Sequence, residues 1–351
     1  DAGAPQSYRK EWLAAAGAPA TGAANTAFVP DAPLPQADVL RTAALTLDAL
    51  RRFLLDPARG FLEQGLGLVL PHDRDDPDDE PLSPTDGLTR WSLTRALLDF
   101  GEGNASGQRD LLRARGQLPP GALGDEALRD AHVQADALRA EVLAFTAGAA
   151  PLAAASLRVD WEDGTSLEGA PVERYPAGFL HVRAGAIDGR HVLRAWLDAL
   201  LCAAAGVDEP VVLVGLADHD ACAFVLPRLA RAEAREQLRA LIELHRDGRR
   251  APLPFFVCTS WLHARASAKA ERKGGGAPAA IDITTFEKAA RDAASENGFG
   301  GPNEFESDAV CIAWRGRELP GPADGRLAQS LHRTALAVFA QPARAWAEQF
   351  A

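Results

Sequence analysis

The sequence predicts an α/β fold in which a mixed sheet is wrapped by many helices. Three observations predict it. Between residues 156 and 226, short apolar runs bounded by turn residues surround one long amphipathic stretch, giving a strand meander, a helix and a further strand pair. On either side of that block, apolar residues recur at helical spacing. The 351 residues are 47% hydrophobic and 24% charged, enough apolar material to bury a core without a disulfide or metal staple.

Residues 1–44 read as a tail and linker. Residues 8–15 suit a short helix, and Gly17, Pro19, Gly22, Pro30, Pro33 and Pro35 rule out regular structure over most of the rest. A boundary between domains is expected here. The chain starts with Asp1 and contains no methionine, so a fragment of a longer protein is expected. Its Ala, Arg, Gly and Pro richness suggests a GC-rich genome.

Residues 45–150 read as helical. Leu47, Leu50, Phe53 and Leu54 fall on one helix face. Asp56-Pro57 ends that helix, because the proline ring disfavours helical geometry at the preceding residue. A second helical turn from Ala58 carries Phe61 and Leu62 inward, and the apolar run 66–70 follows. The loop 72–85 holds Asp73, Asp75, Asp76, Asp78, Asp79 and Glu80. Pro77 and a missing glycine break calcium-loop spacing there, so it reads as a solvated acidic loop. Leu93, Leu97 and Leu98 mark the next helix. Two more span 109–147 around the turn 118–124, with Asp125 able to cap the second. That helix places Leu128, Val133, Leu138, Val142 and Leu143 near one face.

Residues 151–351 read as the α/β core and its closing helices. Strands are expected at 157–161, 167–173 and 179–183, with Glu162-Asp163-Gly164 as a turn. A helix over 189–206 buries Val192, Leu193, Trp196, Leu197, Leu200 and Leu201, and Gly206 stops it. Strands at 210–215 and 222–226 pair across the polar tip Asp218-His219-Asp220. A helix over 228–248 turns Leu238, Leu241 and Ile242 inward. Residues 263–273 form a basic helix with Arg265, Lys269, Arg272 and Lys273, running into the glycines at 274–276. Thr284 with Glu287 makes a capping box for a helix that Gly298 ends. A strand at 310–314 and a last helix with Leu327, Leu331, Val338 and Phe339 inward close the chain.

The formal net charge of −11 is unlike that of a free-standing DNA-binding domain, which is usually basic. A channel wall with its basic residues on one face stays compatible. Cys202, Cys222, Cys258 and Cys311 form no C-x-x-C pair, which argues for reduced thiols and a cytoplasmic setting. No apolar run is long enough to span a bilayer, and no signal peptide is visible. His245-Arg246-Asp247 copies three letters of a kinase loop without its companion motifs. No G-x-S-x-G, H-E-x-x-H or Walker A loop occurs. Gly65 and Gly67 lack the third glycine of a nucleotide fingerprint, and Asp218-His219-Asp220 reads as a hairpin tip before a metal site.

Three stretches carry a family resemblance. One runs through 45–98, in the order LTLDALRRFLLDPARGFLEQGLGLVL, an acidic DDEPL, DGL and a helix. The second is RARGQLPPGALGDEAL, and the third LIELHRDGRRAPLPFF followed by SW. Each is weak alone. Together, from about residue 45 to the end, the sequence resembles the C-terminal domain of RecC, the gamma subunits of bacterial exodeoxyribonuclease V (RecBCD).

The resemblance implies a degenerate PD-(D/E)XK nuclease-like core. Such enzymes hold a divalent metal with G-x-x-D on one strand and D-x-K on the next. At the matching positions stand Val172 for the first acid, His181 for the second and Arg183 for the lysine. Valine has no oxygen to offer and histidine is a poor magnesium ligand, so no catalytic residue and no metal are expected. Glu173, one residue off, points to the opposite face of a strand; Asp160 or Glu162 could compensate only from the preceding strand.

The resemblance further implies a non-catalytic domain of a helicase-nuclease that unwinds and degrades double-stranded DNA ends for recombinational repair. Its roles would be subunit docking and DNA strand separation and channelling. RecB- and RecD-like subunits and DNA would be its partners, with ATP and magnesium confined to those subunits. Arg265, Lys269, Arg272 and Lys273 are the first candidates for DNA contact, and Arg51, Arg52 and Arg59 read more simply as exposed helix residues. Two other functions remain open: an active metal-dependent nuclease with relocated carboxylates, and a stand-alone DNA-binding module.

Overall fold

A computed structural model describes residues 27–29, 32–35, 44–70, 87–100, 105–274, 304–317 and 325–350. The expected helix over 8–15, the acidic loop 72–85 and the capping box at Thr284 and Glu287 with its stop at Gly298 lie outside these residues. So does the side chain of Leu327.

The chain opens with a two-residue strand, β1 (Leu45–Thr46), and passes into helix α1 (Leu47–Leu55). The Thr46 hydroxyl caps α1 by accepting from the Ala49 amide at 3.1 Å. Asp56 ends it and caps the next turn, α2 (Pro57–Gly60), accepting from the Arg59 amide at 3.0 Å. A π-helical turn, Phe61–Gly65, follows. Leu47, Leu50, Phe53, Leu54, Phe61 and Leu62 are buried as their spacing predicts. Helices α3 (Gly87–Phe100), α4 (Ala105–Ala114) and α5 (Gly121–Thr146) complete the first half.

Two details of α5 depart from expectation. It starts at Gly121, so Asp125 lies a turn inside and pairs with Arg109 and Arg113 instead of capping. Its buried stripe is Gly124, Ala127, Leu128, Ala131, Ala135 and Leu138, while Val133 and Leu143 are exposed. Alanines at helical spacing outweigh these larger side chains: Val133 lies five residues from Leu128 and from Leu138, and Leu143 five from Leu138, which turns both off the stripe.

Among the described residues, the second half contains two sheets. Strands β2 (Leu157–Asp160) and β3 (Ser166–Gly169) pair antiparallel, and β1 adds parallel to β3, in the order β1-β3-β2. Strands β4 (Arg174–Tyr175), β5 (Gly178–Ala186), β6 (Val211–Ala217) and β7 (Asp220–Val225) form a four-stranded sheet in that order. β5 and β6 run parallel, which needs a crossover. Helix α6 (Gly189–Ala205) supplies it. The Asp188 carboxylate accepts from the Arg190 and His191 amides at its start, and Gly206 ends it at φ 88°. Val211 and Leu213 of β6 face the α6 side, and Val212, Val214 and Leu216 pack with Leu138 of α5. Burial on both faces explains why β6 reads as an unbroken apolar run. Asp218 and His219, both at positive φ, form the expected hairpin tip between β6 and β7.

Helices α7 (Arg231–Gly248) and α8 (Val257–Lys273) pack on α6. The stretch expected as a strand at 310–314 is instead part of a helix, α9 (Asp308–Ala313). Ser307 caps it, accepting from the Val310 amide at 3.4 Å, and Ala309, Val310, Ala313 and Trp314 are buried at helical spacing. The capping serine was the sequence signal that outranked the β-branched residues. Helix α10 (Gly325–Gln349) lies along α8. The Gln349 amide both donates to the Val225 carbonyl, at 2.8 Å, and accepts from its N–H, at 3.0 Å, on the open edge of β7. Parts of the expected linker pack on this body. Val29 is buried; the Leu34 amide donates to the Arg250 carbonyl at 2.8 Å, and the Arg250 Nε donates to the Leu34 carbonyl at 2.9 Å. Among the described residues, no helix is long and apolar enough to cross a membrane.

Cys202 and Cys258 are buried, Cys222 is half-buried and Cys311 exposed; all four are free. Burial pushes the Cys202 thiol up to about 12, which keeps it inert.

Buried imidazoles make the fold acid-labile. Burial, then the charges of Arg249 and Arg246, push His245 down to about 4. Burial and the neighbouring His332 do the same to His263; the two rings approach to 2.8 Å. The unfolded chain takes up protons on these rings below about pH 6.5, and the native state refuses them until about pH 4. The unfolded state therefore binds more protons in that window, and stability falls as the pH is lowered through it. The expected loss is on the order of 1 kcal/mol per pH unit for each imidazole. Urea midpoints measured across the window check it, and His245→Phe should flatten the slope.

Candidate functional site

Val172 and His181, two of the three positions expected at a degenerate metal site, lie where the two sheets approach helix α6. β3 ends at Gly169. A Cβ there would stand 2.5 Å from the Leu47 side chain, and Pro171 has no N–H to extend a ladder. The expected strand over 167–173 therefore stops early. It does not lie beside β5 along its length; only its end does so, where the Glu173 carbonyl accepts from the Leu180 amide at 3.1 Å and β4 pairs with β5.

Val172 sits in the link between the sheets, and its amide donates to Asp198 Oδ2 at 3.1 Å. His181, on β5, brings Nε2 to 2.8 Å from the same oxygen. Asp198 projects from α6 with a fully buried side chain. Its other oxygen accepts from the Arg51 guanidinium, which reaches over from α1 and also donates to Asp48 at 2.8 Å. Arg51 is thus no exposed helix residue: 17% of its side chain is accessible. A buried carboxylate must be paired, and this one is paired with a guanidinium, an imidazole and a backbone amide.

Around this cluster lies a cleft of about 570 Å³, lined by residues of α1, α6, the 170–172 link and His181. Arg183 is not among them. Its guanidinium lies 4.9 Å from the Trp91 ring centre on α3. Burial lowers its pKa, Asp188 opposes that, and Arg95, Arg194 and Arg190 add to it. The structure therefore brings Val172 and His181 together and leaves Arg183 apart.

Of the acids that could compensate, Asp160 accepts from Arg158 at 2.9 Å and Glu162 is exposed. Glu173, one residue off, accepts from the Tyr175 hydroxyl at 3.0 Å. Among the described residues, no group of three or more His, Cys, Asp or Glu side chains is placed to hold a metal ion. Magnesium demands several oxygen ligands, and the one buried carboxylate here already faces a guanidinium. The donor set does not fit that ion.

The basic helix is less available than its sequence suggests. It is the C-terminal half of α8. Arg265 stacks over Trp261 and Trp346, with ring centres at 5.9 and 5.0 Å. Arg272 donates to the Ala347 carbonyl at 2.6 Å. Lys269 and Lys273 are exposed. Arg59 pairs with Asp56 and Glu63 at 3.5 Å each.

Sequence reasoning missed Asp198. The signal was present in Trp196-Leu197-Asp198-Ala199-Leu200-Leu201: a carboxylate inside a buried apolar run has to find a cation.

The RecC C-terminal domain family matches residues 42–268. The RecBCD enzyme subunit RecC of Mycobacterium tuberculosis (strain ATCC 25618 / H37Rv) is 30% identical over 242 residues, 64% of this chain and 21% of that protein. That of Escherichia coli (strain K12) is 29% identical over 257 residues, 72% of this chain and 21% of its own. That of Mycolicibacterium smegmatis (strain ATCC 700084 / mc(2)155) is 31% identical over 242 residues, 63% and 21%. The matched part spans about a fifth of the length of these relatives.

Proposed function

The chain belongs to the RecC C-terminal domain family, and from that premise we propose that it is a non-catalytic domain of a RecBCD-type helicase-nuclease. In this reading residues 45–351 form a degenerate PD-(D/E)XK domain, preceded by a linker. The domain docks RecB- and RecD-like subunits and helps separate and channel the strands of a double-stranded DNA end, in the cytoplasm, during recombinational repair. ATP and magnesium serve those partner subunits.

One observation carries the non-catalytic reading. The buried carboxylate beside Val172 and His181 is neutralised by Arg51, so a guanidinium does the charge-balancing that a metal ion does in a nuclease. The mixed α/β architecture around a parallel β5-α6-β6 unit supports the domain assignment.

Labelled duplex and single-stranded DNA, incubated with the chain and magnesium or manganese, should stay at the protein-free background. Cleavage abolished by Asp160→Ala or Glu173→Ala would instead establish the relocated-carboxylate nuclease. Docking is tested by co-expression with a RecD-like subunit and pull-down, where co-purification is expected and its absence counts against the reading.

A further inference from the structure

On a chain of net charge −11, a set of arginines scattered along the sequence meets on one surface. Arg190 and Arg194 stand one turn apart on α6, and residues four apart share a helix face. Arg194 lines the cleft together with Arg51 and Arg52 of α1. Arg190 lines an adjoining cleft that shares Leu55 with the first. Beyond them, Arg183 and Arg95 flank the Trp91 indole at 4.9 and 5.3 Å. The charges of Arg95, Arg190 and Arg194 are each felt at Arg183.

Acids along this surface offset part of the charge. Asp48 and Asp198 are tied to Arg51, Asp188 lies 3.7 Å from Arg190, and Asp99 lies 4.0 Å from Arg95. Arg52 and Arg194 are exposed, and among the described residues no carboxylate pairs with either. They are the two guanidinium groups best placed to receive an anion.

We propose that this arginine track, centred on Arg52 and Arg194 at the mouth of the Asp198 cleft, seats the phosphodiester backbone of a single nucleic-acid strand. Guanidinium forks match phosphate oxygens in pairs. The net charge of −11 disfavours phosphate binding by the chain at large. Arg51 shapes the track without serving it directly, because Asp198 already holds its guanidinium. The inference rests on the strand-handling role proposed above and gives that role a surface distinct from the α8 basic helix.

The test uses the full chain and a fluorescein-labelled oligothymidylate, with anisotropy followed as potassium chloride is raised. R52Q/R194Q should weaken binding about tenfold at low salt and reduce the logarithmic salt slope by about 1.4, two phosphate contacts at roughly 0.7 each. R52K/R194K, which keeps the charge but not the fork, should fall between that variant and the original chain. K269Q/K273Q on α8 should retain affinity and slope. Melting curves show whether each variant is folded, and the lysine pair preserves the test if the glutamine pair is not. The proposal is overturned by unchanged affinity in R52Q/R194Q, by an equal loss in K269Q/K273Q, or by no binding of the original chain at low salt. It is also overturned if polyglutamate competes as well as the oligonucleotide, which would mark the track as a seat for an acidic protein. Pull-down of the unaltered chain with a RecD-like subunit separates the two claims: association without strand binding removes this surface and leaves the family role standing.

Discussion

Asp198→Ala should lower the stability of the chain by about 3–5 kcal/mol, the range seen when one partner of a buried ion pair is removed. The side chain is fully buried and serves three groups on three separate elements: Arg51 on α1, the Val172 amide in the link and His181 on β5. Without it, the guanidinium stays 17% accessible beside an unmet amide, and α1 and the link lose their common anchor on α6. Asp198→Asn keeps the shape and an acceptor for Val172 but not the charge, and should cost less. Replacing both charges, as in R51M/D198L, should recover much of the loss, because an apolar pair needs no desolvation of ions. Urea unfolding provides the readout: the midpoint should move with the slope unchanged. If Asp198→Ala unfolds like the original chain, the pair is not what joins these elements.

Phe53→Ala should cost about 3–5 kcal/mol, the usual range for emptying a buried aromatic site. The ring is fully buried and meets His245 edge-on, with centroids 4.7 Å apart. Two glycines make room for it. A Cβ at Gly60 would stand 2.4 Å from the ring, and one at Gly248 would stand 2.5 Å from it. Gly60→Ala is the sharper experiment. Inside a helix that change ordinarily stabilises by up to about 1 kcal/mol, yet here overpacking should destabilise by roughly 1–3 kcal/mol. A Gly60→Ala protein more stable than its parent would show that the ring has space to move aside.

Much of this architecture was legible before any coordinates. The α1 face, the Asp56-Pro57 break, α6 with its Gly206 stop and the β6-β7 hairpin all announce themselves through local rules, because the side chains that form them are neighbours in sequence. What failed was non-local or understated. The α5 stripe is built from alanines, which carry a weak apolar signal. The division into two sheets turns on Gly169 meeting Leu47, a contact that no strand pattern contains. The site was half legible. Val172 and His181 were placed together by resemblance and do share Asp198, but the aspartate and its Arg51 partner come from helices that the motif does not cover. Arg265 reads as a ligand for phosphate because the nearer of its two stacking partners in space, Trp346, lies far along the chain.

The Gln349 amide that clasps Val225 bears on how this molecule avoids its own kind. An outermost strand with unmet donors and acceptors is a template for recruiting another chain. Here the strand at one margin of the four-stranded sheet, Arg174–Tyr175, is only two residues long and offers a recruit little to pair with. The other is stoppered at its far end by a side chain that imitates a peptide group. Strand addition at this end of β7 is thereby discouraged.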